Sequence, residues 1–278
     1  METSEGSDGI GEEAGRVRLT GDRSASRRVT VRRVGGGGDQ LDDFGVSARD
    51  GLVLRCTAAG SGPAVVLLHA GGEKRSVWRP VARWLARDGF RSIAVDQRGH
   101  GETGGSRATC LDEYAGDVSD LLAWLDVPVT LVGASLGGLA SLLAVTDPDT
   151  RARVRGVVLV DVQPDPDPAP TRRFLRDLES RAPSRRPAWN WALIEDVLSR
   201  PQQLRDAAAS LDIPVTLVRG GASPAFPAHD VARFTTLVPG AAVHVVPGAG
   251  HLVARDRPEE LAAALLEHLR REAAVAPP

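Results

Sequence analysis

A serine hydroxyl is a poor nucleophile unless its surroundings expose it and a neighbouring base takes its proton. Of the serines in this chain, Ser135 stands in the pattern that meets the first condition, Gly133-Ala134-Ser135-Leu136-Gly137. The run 127–132 ahead of it is short, apolar and rich in β-branched residues, as in a buried strand. Residues 139–144 behind it, Leu-Ala-Ser-Leu-Leu-Ala, favour a helix. Ser135 therefore sits where a strand turns sharply into a helix, with the backbone strained and the hydroxyl pushed out above the sheet edge. Small neighbours at Gly133 and Gly137 let strand and helix approach closely. The amide of Leu136 opens the helix and points into the same space, where it can donate to a developing oxyanion. Nucleophile and anion donor together point to acyl-transfer chemistry.

A base is needed next. His251 ends Pro247-Gly-Ala-Gly-His251, a glycine-rich loop that follows an apolar strand, so its ring can lean over a sheet edge. His244 falls within a strand, while His229 and His268 fall in helical stretches. No His-Glu-x-x-His or Cys-x-x-Cys spacing is present, and no metal or cofactor is expected.

These groups need a scaffold. Residues 44–57 read as a hairpin around Asp50-Gly51, and 64–68 (Ala-Val-Val-Leu-Leu) as a strand covered on both faces. An amphipathic helix over 77–87 is expected to bury Val81, Trp84 and Leu85. Further strands are expected at 91–95, 127–132, 154–160, 213–218 and 243–246, with helices at 112–125, 139–144, 231–237 and 258–272. Alternation of this kind builds a parallel sheet. It breaks at Gln163, where a proline-rich linker runs to Pro170. Helices over 171–181 and 193–198 are expected beyond it. Residues 163–209 thus read as an inserted cap on a core made of 41–162 and 210–278.

Together the pieces resemble the α/β-hydrolase family over residues 43–278. His69-Ala-Gly-Gly72 is similar to its His-Gly oxyanion loop, with Ala70 where glycine is usual. Asp96-Gln-Arg-Gly-His-Gly101 is similar to its Asp-x-x-Gly-x-Gly turn, and the serine and histidine segments match its elbow and catalytic-histidine loops. The resemblance implies an eight-stranded, mostly parallel sheet with helices on both faces and a site at its carboxyl edge. It makes Ser135 the nucleophile, His251 the base, and the amides of Gly71 and Leu136 the oxyanion hole, with His69 and His100 in packing and hydrogen-bonding roles. The chain departs from the family at the acid. The usual position, after the strand ending at Val218, carries Ser223. Some family members place the acid at the end of the preceding strand, where this chain has Asp161. Asp161 keeps the serine–acid–histidine order but could equally cap the strand before the linker. Asp230, in the first turn of a helix, is the other candidate, whereas Asp165 and Asp167 are expected to face solvent.

The implied activity is a serine hydrolase that cleaves an ester, thioester or lactone of a small, largely apolar substrate through an acyl-enzyme. Two alternatives stay open: non-hydrolytic work by the same groups, such as carbon–carbon cleavage or cyclisation in specialised metabolism, and a ligand-binding protein without catalysis. A serine at the elbow argues against the carboxylate-nucleophile chemistry of dehalogenases and epoxide hydrolases. Phe174, Trp189 and Trp191 in the cap are expected to line the substrate pocket or to form the cap's own core.

Composition narrows the partners. Of 278 residues 42% are hydrophobic and 25% charged, with a net charge of -2, so no nucleic-acid footprint is expected. Two cysteines make no disulfide framework, and Cys56 is expected in the core. No membrane span or signal region is read, and a cytoplasmic enzyme acting on a small molecule is expected. Residues 1–40, polar and glycine-rich, read as a disordered tail.

Overall fold

A computed structural model describes residues 32–34, 41–105, 108–180 and 190–275. Among them, nine strands form one sheet: β1 (Arg32–Val34), β2 (Leu41–Ser47), β3 (Val53–Ala59), β4 (Ala64–Leu68), β5 (Arg91–Asp96), β6 (Val129–Ala134), β7 (Val154–Val160), β8 (Val215–Gly220) and β9 (Ala242–Val246). Their order across the sheet is β1-β2-β3-β5-β4-β6-β7-β8-β9. The first three are antiparallel and the pairs from β5 to β9 are parallel. The expected eight strands correspond to β2–β9. The ninth, β1, lies within the stretch expected to be a tail and pairs Arg32 with Asp43. The rest of that tail, residues 1–31 and 35–40, lies outside the described residues.

The apolar runs of the central strands follow from cover on both faces. In β4, Val66 and Leu68 enter one core, which also receives Val118 and Leu122 of α2 (Leu111–Leu125) and Ala140 of α3 (Leu136–Ala144), while Val65 and Leu67 enter the other, with Val81 and Leu85 of α1 (Arg79–Arg87). That opposite core is closed by Leu261 and Leu265 of the C-terminal helix (Pro258–Val275). The two-residue period of the strands thus sorts each side chain to its own layer. Cys56 lies in the first core as expected, and desolvation pushes its thiol up to about 12. Trp84 departs from expectation: it is 37% exposed. Among the described residues the buried tryptophan is Trp78, in the 3-10 turn Arg75–Trp78 that precedes α1.

Among its described residues the insertion carries three helices rather than the two expected: α5 (Pro168–Ser180), α6 (Trp191–Leu198) and α7 (Pro201–Ala209), which follow a one-turn α4 (Pro148–Arg151). Pro201 begins α7 at the position where its fixed φ suits a helix, and the run after it favours helix. Leu204, Ala207 and Ala208 of α7 are buried in the main core and pack beside α3. In α6, Leu193 and Val197 join that core too, and Asp196 accepts the Leu111 amide at 2.8 Å, capping the first turn of α2 from outside. By contrast α5 buries none of its residues. Of these three helices, α5 is thus the one that contributes nothing to either core. No helix among the described residues is long and apolar enough to cross a membrane.

Candidate active site

Ser135 joins β6 to α3 with φ 46° and ψ -111°, a conformation that L-residues avoid. The turn is possible because its neighbours lack side chains. A Cβ on Gly137 would stand 2.5 Å from the Leu68 carbonyl oxygen, and one on Gly133 would stand 2.5 Å from the Gly137 carbonyl carbon. The Leu136 amide opens α3, so no preceding turn supplies it with an intrahelical acceptor.

Facing it is the loop after β4. His69 ties this loop down. Its Nε2 accepts the Gln97 amide at 3.1 Å, so Nδ1 carries the proton and donates to the Ala70 carbonyl at 2.8 Å. Desolvation lowers the His69 pKa to about 4, which keeps the ring neutral. His100 holds the same loop by accepting the Gly72 amide at Nε2, at 3.1 Å. Both rings are buried, in agreement with the packing and hydrogen-bonding roles expected of them. Gly71 lies between the anchored residues and lines the same cavity as Ser135 and Leu136.

His251 follows β9 and makes a 2.8 Å hydrogen bond from Nδ1 to Oδ2 of Asp161. The Asp161 side chain is fully buried at the end of β7, with backbone φ at 53°. Its Oδ1 accepts the Gly220 amide at 2.8 Å, and its Oδ2 also accepts the Ser223 hydroxyl. An ionised carboxylate so placed fixes the Nδ1–H tautomer of His251 and leaves the lone pair on Nε2. Asp230 faces elsewhere: its carboxylate accepts from Gln163 and, at 3.0 Å, from Arg233. Asp165 corrects another expectation. Its side chain is only 14% exposed and is gripped by Arg205 and Arg233 at 3.3 and 2.6 Å. Asp167 is exposed, and its Oδ1 accepts the Ala169 amide in the first turn of α5.

Ser135, Leu136, Gly71, Asp161 and His251 line one cavity of about 1020 Å³, roofed by α5 and α6. Phe174 and Trp191 line it as well. The Phe174 ring meets the His251 imidazole edge-on, with centroids 5.3 Å apart at 82°. Trp189 lies outside the described residues. Two neighbours escaped the sequence reading. Glu73 lines the cavity, and burial raises its pKa, while the Ala70 backbone and the charge of Arg255 oppose that rise. Asp256 accepts the Gly250 amide at 2.9 Å and so pins the histidine loop from behind. Their roles depend on contacts that no local pattern announces. Among the described residues, no group of three or more His, Cys, Asp or Glu is placed to hold a metal ion. Ser135, the His251 ring, Gly71 and Leu136 thus line one shared cavity.

Comparison with known proteins gives this arrangement a family context. Uncharacterised proteins of Mycobacterium tuberculosis and Mycobacterium bovis are 45% identical over 82 residues, 29% of this chain, which spans only 24% of their length. The 2-(acetamidomethylene)succinate hydrolase of Mesorhizobium japonicum is 29% identical over 253 residues, covering 75% of this chain and 88% of that protein. A crystal structure of E-2-(acetamidomethylene)succinate hydrolase superposes with a TM-score of 0.69 at 26% identity, over 87% of this chain and all of the other. An esterase from Thermogutta terrifontis reaches 0.70 at 22% identity, over 83% and 98% of the two chains, which is a likeness of fold. The profile of the alpha/beta hydrolase family matches residues 65–264, and with the fold and the strand–serine–helix turn in place, the chain belongs to that family.

Proposed function

We propose that this protein is a serine hydrolase that cleaves an ester, thioester or lactone of a small, largely apolar substrate through an acyl-enzyme. One observation carries the reading: a serine in a strained strand-to-helix turn shares a cavity with a histidine whose Nδ1 is held by a buried carboxylate. In this mechanism Ser135 Oγ attacks the carbonyl carbon while His251 Nε2 takes the hydroxyl proton. The carbonyl oxygen becomes an oxyanion and receives the amides of Gly71 and Leu136. Collapse expels the alcohol or thiol, which takes the proton from the imidazolium. A water molecule, deprotonated by the same histidine, then attacks the acyl-enzyme and releases the acid.

Asp161 supports the reading by supplying the charge that Ser223 lacks, and so weakens the case for a binding protein without catalysis. The hydrolase name of a relative that covers three quarters of the chain, at 75%, also favours hydrolysis. Leu139, Val162, Phe174, Trp191, Ile194 and Leu252 make much of the cavity wall apolar, which favours an uncharged acyl or alkoxy group. A fluorophosphonate probe tests the assignment. It should label the wild type on Ser135 and leave Ser135→Ala unlabelled, and a panel of p-nitrophenyl esters should be turned over by the wild type alone. Labelling elsewhere, or equal turnover by the two proteins, would overturn it.

A further inference from the structure

Ser223 stands where the family usually has its acid, yet it faces Asp161 rather than the histidine. Its hydroxyl donates to Oδ2 of Asp161, the same oxygen that accepts Nδ1 of His251. The Ser223 oxygen itself accepts the Ala225 amide at 3.2 Å. With that acceptor site filled, the one hydroxyl proton is directed to the carboxylate. A tight turn fixes the residue, through a 3.1 Å bond from its amide to the Gly220 carbonyl. Ser223 is buried and is absent from the cavity wall, although its neighbours Pro224 and Ala225 line it.

Asp161 has reason to need such a hold. It occupies the left-handed region, which a non-glycine residue adopts only when its surroundings enforce it. Its short side chain must reach across the end of β8 to a histidine ninety residues away in sequence. The Gly220 amide secures Oδ1 but leaves rotation of the other oxygen to be stopped.

We infer that Ser223 is a positioning residue that holds Asp161 Oδ2 on the Nδ1–H of His251. The inference rests on the serine-hydrolase reading, because it acts through the histidine that reading uses. A double-mutant cycle tests it. Ser223→Ala should lower kcat on p-nitrophenyl butyrate, and the rate of fluorophosphonate labelling, by about tenfold with KM unchanged. In an Asp161→Asn background the same change should cost nothing further, since the group it orients is already lost. Ser223→Thr, which keeps the hydroxyl, should retain most of kcat. Melting temperatures recorded alongside show whether each variant is folded. An equal loss of kcat in both backgrounds, or a full kcat in Ser223→Ala, overturns the inference. Failure of the underlying reading looks different, because Ser135→Ala would then keep its turnover. In that event the low-field proton resonance of His251 Nδ1 still reports on Ser223. It should shift in Ser223→Ala, and an unchanged resonance overturns the inference.

Discussion

Asp161 accepts hydrogen bonds from a backbone amide, a serine and a histidine, so its carboxylate is held against the His251 ring, where the proposed mechanism would form an imidazolium. Asp161→Asn should lower kcat by roughly three to four orders of magnitude while the fold persists, because the amide can present the wrong group to Nδ1 and favour the wrong tautomer. Far-UV dichroism and steady-state rates on an activated ester check both halves. Adding Ser223→Asp to that variant moves a carboxylate back toward the usual strand and should recover part of the rate. Ser223→Asp alone should instead be deleterious, since it sets two carboxylates against each other and one must hold its proton. If the double variant is no faster than Asp161→Asn, the second position cannot serve the histidine. At this scale the sequence displayed Ser135 and His251 clearly, because each carries a local signature of glycines around a turn. It left Asp161 and Asp230 in competition. The fold separates their contacts, setting Asp161 on the His251 ring and Asp230 on Arg233 and Gln163.

Elements were legible where one period dominated. The central strands read as unbroken apolar runs because both faces are covered, and α2 and the C-terminal helix (Pro258–Val275) announced themselves by their stripes. Trp84 was misplaced because aromatic size suggests burial, whereas at its position on α1 the ring lies partly in solvent beneath the Arg87 guanidinium, 5.5 Å from its centroid. Helix α7 was missed because three alanines and polar residues give little contrast between faces. The turn itself makes a firm prediction. Gly137→Ala would press a methyl group against the Leu68 carbonyl at 2.5 Å. Overpacking of this kind costs about 1–3 kcal/mol, so the melting temperature should fall, and the displaced Leu136 amide should slow labelling of Ser135 as well. Helix α5 behaves differently because it buries none of its residues. Phe174→Ala should therefore leave the melting temperature nearly unchanged while raising KM for an apolar ester roughly tenfold, the loss expected from removing one ring from the pocket wall. A variant that unfolds early with KM intact would place Phe174 in the structural core instead.

At the scale of the whole molecule, several buried polar groups tie down the loops at the sheet edge that holds the candidate site, which would couple its function to stability. Asp96 shows the pattern: it accepts the amides of Arg75 and Glu102 at 2.6 and 2.8 Å and pairs with the Arg75 guanidinium, so the segments after β4 and β5 meet on one carboxylate. His69 is the member of this group with the largest consequence for pH. Burial holds its pKa near 4, against an ordinary value of 6.5, and its Nε2 must stay unprotonated to accept the Gln97 amide. The unfolded chain therefore binds a proton more readily than the folded one between those two values. Stability from this residue is fully present above pH 6.5 and is lost as the pH falls toward 4. A shift of this size corresponds to about 3 kcal/mol, at about 1.4 kcal/mol for each pH unit. Carboxylates contribute their own acid sensitivity at lower pH, so the measurement must isolate the histidine. Urea unfolding of the wild type and of His69→Gln, compared between pH 7 and pH 4.5, does this, because glutamine can accept the Gln97 amide without titrating. The variant should be less stable at pH 7, where the histidine fits better, and should lose less stability on acidification. Parallel curves for the two proteins would show that the buried ring does not set the acid limit of the fold. Because His69 also anchors the Gly71 loop, the same acidification should release the proposed oxyanion donor before the sheet unfolds, and labelling of Ser135 should decline at a higher pH than the far-UV signal.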